Sequence, residues 1–269
     1  MLVLAGCGGP QPGDGSVGVG AGPDPDSVLL ANLYAAALRY YGTPAHVVEL
    51  SDPLAGLDSG EVTVVPGYTG RLLQRFAPGT RGTGDEQVYK AMVGMLPEGV
   101  SAGDYATAAE DKPAVAITEA TAADWDGRDL ATMVEHCDEL RPGAPRGMRP
   151  PSSVGTCTLP APREFSDDTA LFEALQADRI NVAWTMTADP KVPGEVVVLA
   201  DRKPNMVRAQ NVVPLYRRNE LSARQVLAVN EVAGVLDTAT LKQLRKDLAA
   251  GADPRVLAEE WLAENPLGR

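Results

Sequence analysis

Apolar residues along this chain recur at two different periods, and the two alternate. The stretch "SVGVGAG" (16–22) alternates small and apolar residues, the pattern of a buried strand. In "DSVLLANLYAAALRYYG" (26–42) apolar positions fall at helical spacing, with Asp26 or Ser27 as a cap and Gly42 as a stop. "AHVVEL" (45–50) predicts a second strand, "DPLAGLDSG" a short helix and "EVTVVPG" (61–67) a third strand. The turn that leaves it carries Tyr68 and Thr69, and a helix-like stretch follows. "DEQVYKAMVGMLP" (85–97) predicts a helix and "PAVAIT" (113–118) a strand.

A second unit of the same kind is expected from about residue 119. "DLATMVEHCDEL" (129–140) and "DTALFEALQAD" (168–178) predict helices, and "INVAWTMT" (180–187) and "GEVVVLAD" (194–201) predict strands. Between them, "RPGAPRGMRPPSS" is expected to be an irregular exposed loop. "NVVPLYRR" (211–218) and three capped helical stretches close the chain. Strands alternating with helices argue for an α/β architecture built on mostly parallel sheets.

Composition narrows the function classes. The chain has 269 residues, 44% hydrophobic and 22% charged, with a formal net charge of −12. That balance is the wrong sign for following a phosphate backbone, so nucleic acid is not an expected partner. The start, "MLVLAGCGGPQPGDGS", sets Cys7 after Leu-Ala-Gly and before a Gly/Pro-rich tract suited to a flexible tether. This resembles the lipobox of bacterial lipoproteins, in which the cysteine is lipidated; only six residues precede it. With Cys7 acylated, Cys137 and Cys157 remain as a pair, and an exported chain favours a disulfide between them. The rival is a metal site. Two histidines, His46 and His136, give no ligand spacing for one, and none is expected.

Four stretches, in order, resemble the substrate-binding proteins of glycine betaine/choline-type ABC importers. They are "LLANLYAAALRYYG", "GEVTVVPGYTGRLL", "ALQADRINVAWTMTAD", and "NVVPLYRR" with "LAEEWLAENPL". The resemblance implies a two-lobed periplasmic-binding-protein-like fold with two crossing segments. Residues 16–118 and 205–269 would form lobe one, and 119–204 lobe two, behind a tether over 1–15. It further implies a small-molecule solute held between the lobes, an ABC permease with its ATPase as partners, and a lipid anchor on the extracytoplasmic face of the cell membrane. A monomer is expected, with no cofactor.

The site expectations follow residue by residue. Tyr68 matches the tyrosine of the family's Y-T-G motif, where a ring face attracts a quaternary ammonium cation. Thr69 adjoins it, and Arg71 stands where the family has a threonine. Ser27, beside Asp26, falls near the family's first-helix glutamine. Lys112 lies in the segment where a further tyrosine is lost. The second-lobe aromatic falls near Met186, with Trp184 on the same strand face. Tyr68 and Trp184 each have a core reading beside the cleft reading. One ring kept, others lost and two cations gained point to a ligand other than glycine betaine or choline. Tyr68→Ala is expected to weaken binding while leaving the fold intact.

Two other classes compete. "GVGAG" with Glu49 imitates a dinucleotide-binding turn, but Pro23 and Pro25 stand where the third glycine and the helix start belong. With two histidines in the chain, the nucleophile adjacent to one is Cys137, which is better used in a disulfide, so no enzyme is expected. The other is a lipoprotein that keeps the binding-protein fold for sensing or scaffolding.

Overall fold

A computed structural model describes residues 15–268. Its first unit opens with β1 (Val17–Ala21), α1 (Pro25–Tyr40), β2 (Ala45–Glu49), α2 (Pro53–Ser59) and β3 (Val64–Tyr68). Then follow α3 (Thr69–Phe76), α4 (Asp85–Val93) and β4 (Val100–Ala102). The chain crosses to a second unit made of β5 (Pro113–Thr118), α5 (Glu119–Asp124), α6 (Leu130–Glu135) and β6 (Pro142–Pro145). That unit continues with β7 (Ser153–Val154), β8 (Cys157–Thr158), β9 (Arg163–Phe165), α7 (Asp168–Gln176), β10 (Val182–Met186) and β11 (Val196–Val198). A second crossing leads to β12 (Val212–Arg217), α8 (Ala223–Val235), α9 (Thr238–Ala249) and α10 (Pro254–Glu264).

Two five-stranded sheets result, in the orders β2-β1-β3-β12-β4 and β11-β5-β10-β6-β9. Each is flanked by helices, the two-lobed α/β architecture expected. Both sheets are mixed rather than mostly parallel. The strands nearest each crossing, β12 and β5, run antiparallel to their neighbours because the chain enters and leaves each lobe at the same end. The lobe boundary also moves. Residues 113–118, assigned to lobe one, pair with β10 and β11 inside the second sheet, so the first crossing precedes Pro113.

Local physics explains the other departures. Helix α1 begins at Pro25, capped by Asp24, whose carboxylate accepts from the Ser27 N–H. This frees the Asp26 side chain from capping. The "RPGAP" stretch, read as irregular, supplies β6, which pairs in parallel with β9 and β10. Strand β3 runs on through its Pro-Gly, and Pro66 sits opposite Pro214, so two residues without an N–H face each other.

Helix α1 is apolar all round and is sheathed accordingly. Leu29, Leu33, Tyr34 and Leu38 are buried between the first sheet and helices α8 and α10. The second lobe packs Trp184 with Val115, Ile117 and Met133 on one side of its sheet. Phe172 and Leu175 of α7 cover the other side with Ala183. Cys137 and Cys157 are joined by a disulfide with a Cα–Cα distance of 5.6 Å. Among the described residues no helix is long and apolar enough to cross a membrane. Cys7 lies outside the described residues.

Candidate functional site

Strand ends meet helix starts where the lobes face each other. Tyr68 ends β3, Asp26 lies in the first turn of α1, and Asp111 lies on the first crossing. Helix α9 delivers Arg245 among them. Its guanidinium donates through Nε to Asp26 Oδ1 (2.7 Å), and through Nη2 to Tyr68 Oη (2.8 Å) and Asp111 Oδ2 (2.9 Å). Nη1 donates to the Ala188 carbonyl (3.1 Å), on the loop after β10. The Tyr68 hydroxyl donates to Asp26 Oδ2 at 3.0 Å. One largely buried guanidinium thus ties two lobe-one segments and the first crossing to a lobe-two loop.

The charges here close on themselves. Arg71 stacks its guanidinium 4.7 Å from the centre of the Tyr68 ring and reaches Asp111 at 3.5 Å. Two arginines therefore meet two carboxylates. Burial pulls the Arg245 guanidinium down, but Asp111 and Asp26 outweigh it and hold it above its ordinary range. Burial pushes the Asp26 carboxyl up, against the opposing pull of Arg245. Burial, then the Asp26 charge, push the Tyr68 hydroxyl well above its usual range, so it remains a donor.

The expected site residues divide. Tyr68, Asp26, Arg71 and Met186 border cavities at this junction: one of about 270 Å³ carries Tyr68 and Arg71, and one of about 450 Å³ carries Met186 and Arg245. Ser27 borders the smaller one, with its hydroxyl accepting from the Gly22 N–H at 2.6 Å. Thr69 does not face the cleft. It is fully buried, and its Oγ1 accepts from the Asn211 N–H, pinning β12 to the start of α3. The close approach here needs Gly70, where a Cβ would fall 2.5 Å from the Ala209 carbonyl. Lys112 is buried and spent on Asp201 (3.0 Å) and Glu110 (3.2 Å), an ion pair between the two crossings. Trp184 is 1% exposed in the second-lobe core, because its strand position faces the apolar layer rather than the lobe gap. Tyr68 itself is 4% exposed and packs in the lobe-one core, so truncating it disturbs the fold as well as any ligand.

Arg245, Asp111 and Gln210 were missed. Arg245 had a signal: it occupies a position of the α9 stripe Leu241, Leu244, Arg245, Leu248, where an apolar residue belongs. Gln210 lies on the second crossing, and its Oε1 accepts from the Arg71 N–H at 2.8 Å. It also borders a third cavity, of about 440 Å³, walled by both lobes.

Residues 159–264 match the family model described as the substrate binding domain of ABC-type glycine betaine transport systems. This segment is similar to the substrate-binding domains of that family. The recognition made on four sequence stretches therefore holds, and the solved structures agree on the fold. A glycine betaine/carnitine/choline ABC transporter structure superposes with a TM-score of 0.76 at 15% identity, covering 93% of this chain and 98% of that one. Apo YehZ from Escherichia coli gives 0.74 at 19% identity, with 93% and 99% covered. A choline binding protein in complex with choline gives 0.54 at 18% identity, with 94% and 89% covered. A search of curated protein sequences returns no match. The junction around Arg245 is where this chain's lobes are tied.

Proposed function

We propose that the protein is the solute-binding component of an ABC importer, lipid-anchored through Cys7 on the extracytoplasmic face of the membrane. It binds a small solute between its lobes, closes on it, and delivers it to a permease and its ATPase. Closure requires contacts to both lobes, because only differential affinity shifts an open–closed equilibrium. We further propose that the solute is not a quaternary ammonium compound. One observation carries this: the Tyr68 ring face that would attract a ligand cation already holds the chain's own guanidinium, from Arg71 at 4.7 Å. A second cation, from Arg245, holds the Tyr68 hydroxyl. No reaction is assigned to the protein.

Differential scanning fluorimetry tests the reading. The panel holds glycine betaine, choline, carnitine, amino acids, polyols and aromatic carboxylates. A true ligand at about 100 times its dissociation constant adds about 2.7 kcal/mol. Stabilisation is expected from uncharged or anionic solutes and none from the quaternary amines. A clear shift with choline or glycine betaine sinks the diverged-ligand reading.

A further inference from the structure

The cavity on the far side of Gln210 has an unusual electrostatic lining for a chain of net charge −12. Among the described residues Arg81, Arg149 and Arg208 border it, and no carboxylate does. The described ion pairs occupy Arg39, Arg71, Arg75, Arg128, Arg141 and eight other basic residues, and none involves these three arginines. Arg208 is held in place by neutral acceptors alone. It donates through Nη1 to Gln74 Oε1 at 2.9 Å, and also to the carbonyls of Thr80 and Gly82. Its position is fixed while its charge stays uncompensated.

The walls come from both lobes. Arg81 and Thr83 lie on the lobe-one loop between α3 and α4, and Arg208 on the second crossing. The Ala209 N–H donates to the Thr83 carbonyl, and Thr83 Oγ1 to the Asn205 carbonyl, so loop and crossing form one wall. Arg149 and Ser153 lie on the lobe-two segment that enters the β7–β8 hairpin. That hairpin is clamped by the Cys137–Cys157 disulfide.

We propose that this cavity binds a small solute bearing two or more negative charges on carboxylate, phosphate or sulfate oxygens. Guanidinium forks match such oxyanions in geometry as well as charge, and hydrogen bonds between ions are about twice as strong as neutral ones. A cavity of about 440 Å³ lies within the range that small-molecule sites occupy. Three like charges converging without a counter-ion repel each other, and a bound anion relieves that repulsion. An anion bridging Arg81 and Arg149 touches both lobes, which is what closure requires. The assignment deepens the proposed reading of a non-quaternary ligand and rests on it.

Isothermal titration calorimetry on the full disulfide-bonded chain, at low ionic strength in an oxyanion-free buffer, tests this. The titrants are inorganic phosphate, sulfate, malonate and succinate, with chloride, choline and glycine betaine as controls. Heat from a divalent oxyanion and none from chloride is expected. Phosphate and sulfate on one side and the dicarboxylates on the other separate an inorganic from an organic anion, and either supports the site. Arg81→Gln and Arg149→Gln, whose side chains make no fold-holding hydrogen bond among the described residues, should each weaken binding about tenfold. Their urea midpoints should not move. No binding by any divalent anion, or binding that neither variant weakens, overturns the site. Failure with the anions and success with choline overturns the non-quaternary reading too. Failure with both leaves that reading standing and removes only this cavity.

Discussion

Gln210 separates two arginine clusters that answer to different chemistry. On one side, Arg245 and Arg71 meet Asp26, Asp111 and the Tyr68 ring, and every charge has a partner within the chain. On the other, Arg81, Arg149 and Arg208 line a cavity with no carboxylate among the described residues. The first arrangement has the character of structure: a buried guanidinium satisfied by its own fold. The second has the character of a site: Arg208 is held in place, and its charge and those of Arg81 and Arg149 are left uncompensated. Arginine count and nearness to the lobe gap do not distinguish the two; the location of the counter-charges does.

The strongest way to break this contrast is Arg245→Met. Removing one member of a buried, hydrogen-bonded ion network leaves Asp26 and Asp111 without their main partner. That costs about 3–5 kcal/mol. Urea denaturation should show the loss, whereas Arg81→Gln and Arg149→Gln should fall within about 0.5 kcal/mol of the parent. An Arg245→Met protein as stable as the parent would mean that this cluster, too, is poised for a ligand.

Replacing Cys137 and Cys157 together by serine probes the other side. The bridge spans a sequence separation of 20. By chain entropy its loss costs about 3 kcal/mol. Because the clamped hairpin adjoins the wall that carries Arg149, anion affinity should fall along with stability. Arg245→Met, assayed where it remains folded, should lower stability and leave anion affinity close to the parent value. Unchanged anion affinity in the serine variant would separate the hairpin from the site.

Much of this organisation was legible in the sequence. Long periodic stretches such as α1, α8 and α9 declare themselves through local packing needs, and β12 through its apolar run. Strand β6 did not, because Pro142–Pro145 has no strand character of its own and extends only where β9 and β10 flank it. The helix start slipped from Asp26 to Asp24 because either side chain can cap, and only the packed fold decides which one is wanted elsewhere. Tyr68 and Arg71 were found by motif, and Arg245 was readable as a charge inside an apolar stripe. The second cluster was not readable at all. Arg81, Arg149 and Arg208 come from three loops far apart in sequence, and no spacing rule joins them before two lobes do.

The finest test concerns the Tyr68 hydroxyl alone. Tyr68→Phe keeps the ring that packs in the lobe-one core and stacks under Arg71, and removes only the bonds to Asp26 and Arg245. If this side of Gln210 is structural, the cost should be that of two hydrogen bonds to charged groups, about 3 kcal/mol at most. Arg245 still reaches both carboxylates, so neither is stranded and the larger penalty of the Arg245 variant does not recur. Solute affinity should stay at the parent value, because the hydroxyl serves the chain and not a ligand. Tyr68→Ala cannot make this separation: it also empties a core position and costs about 3–5 kcal/mol on its own. A Tyr68→Phe protein of near-parent stability that loses solute binding would place the ligand on the Arg245 side, and the division at Gln210 would have to be redrawn.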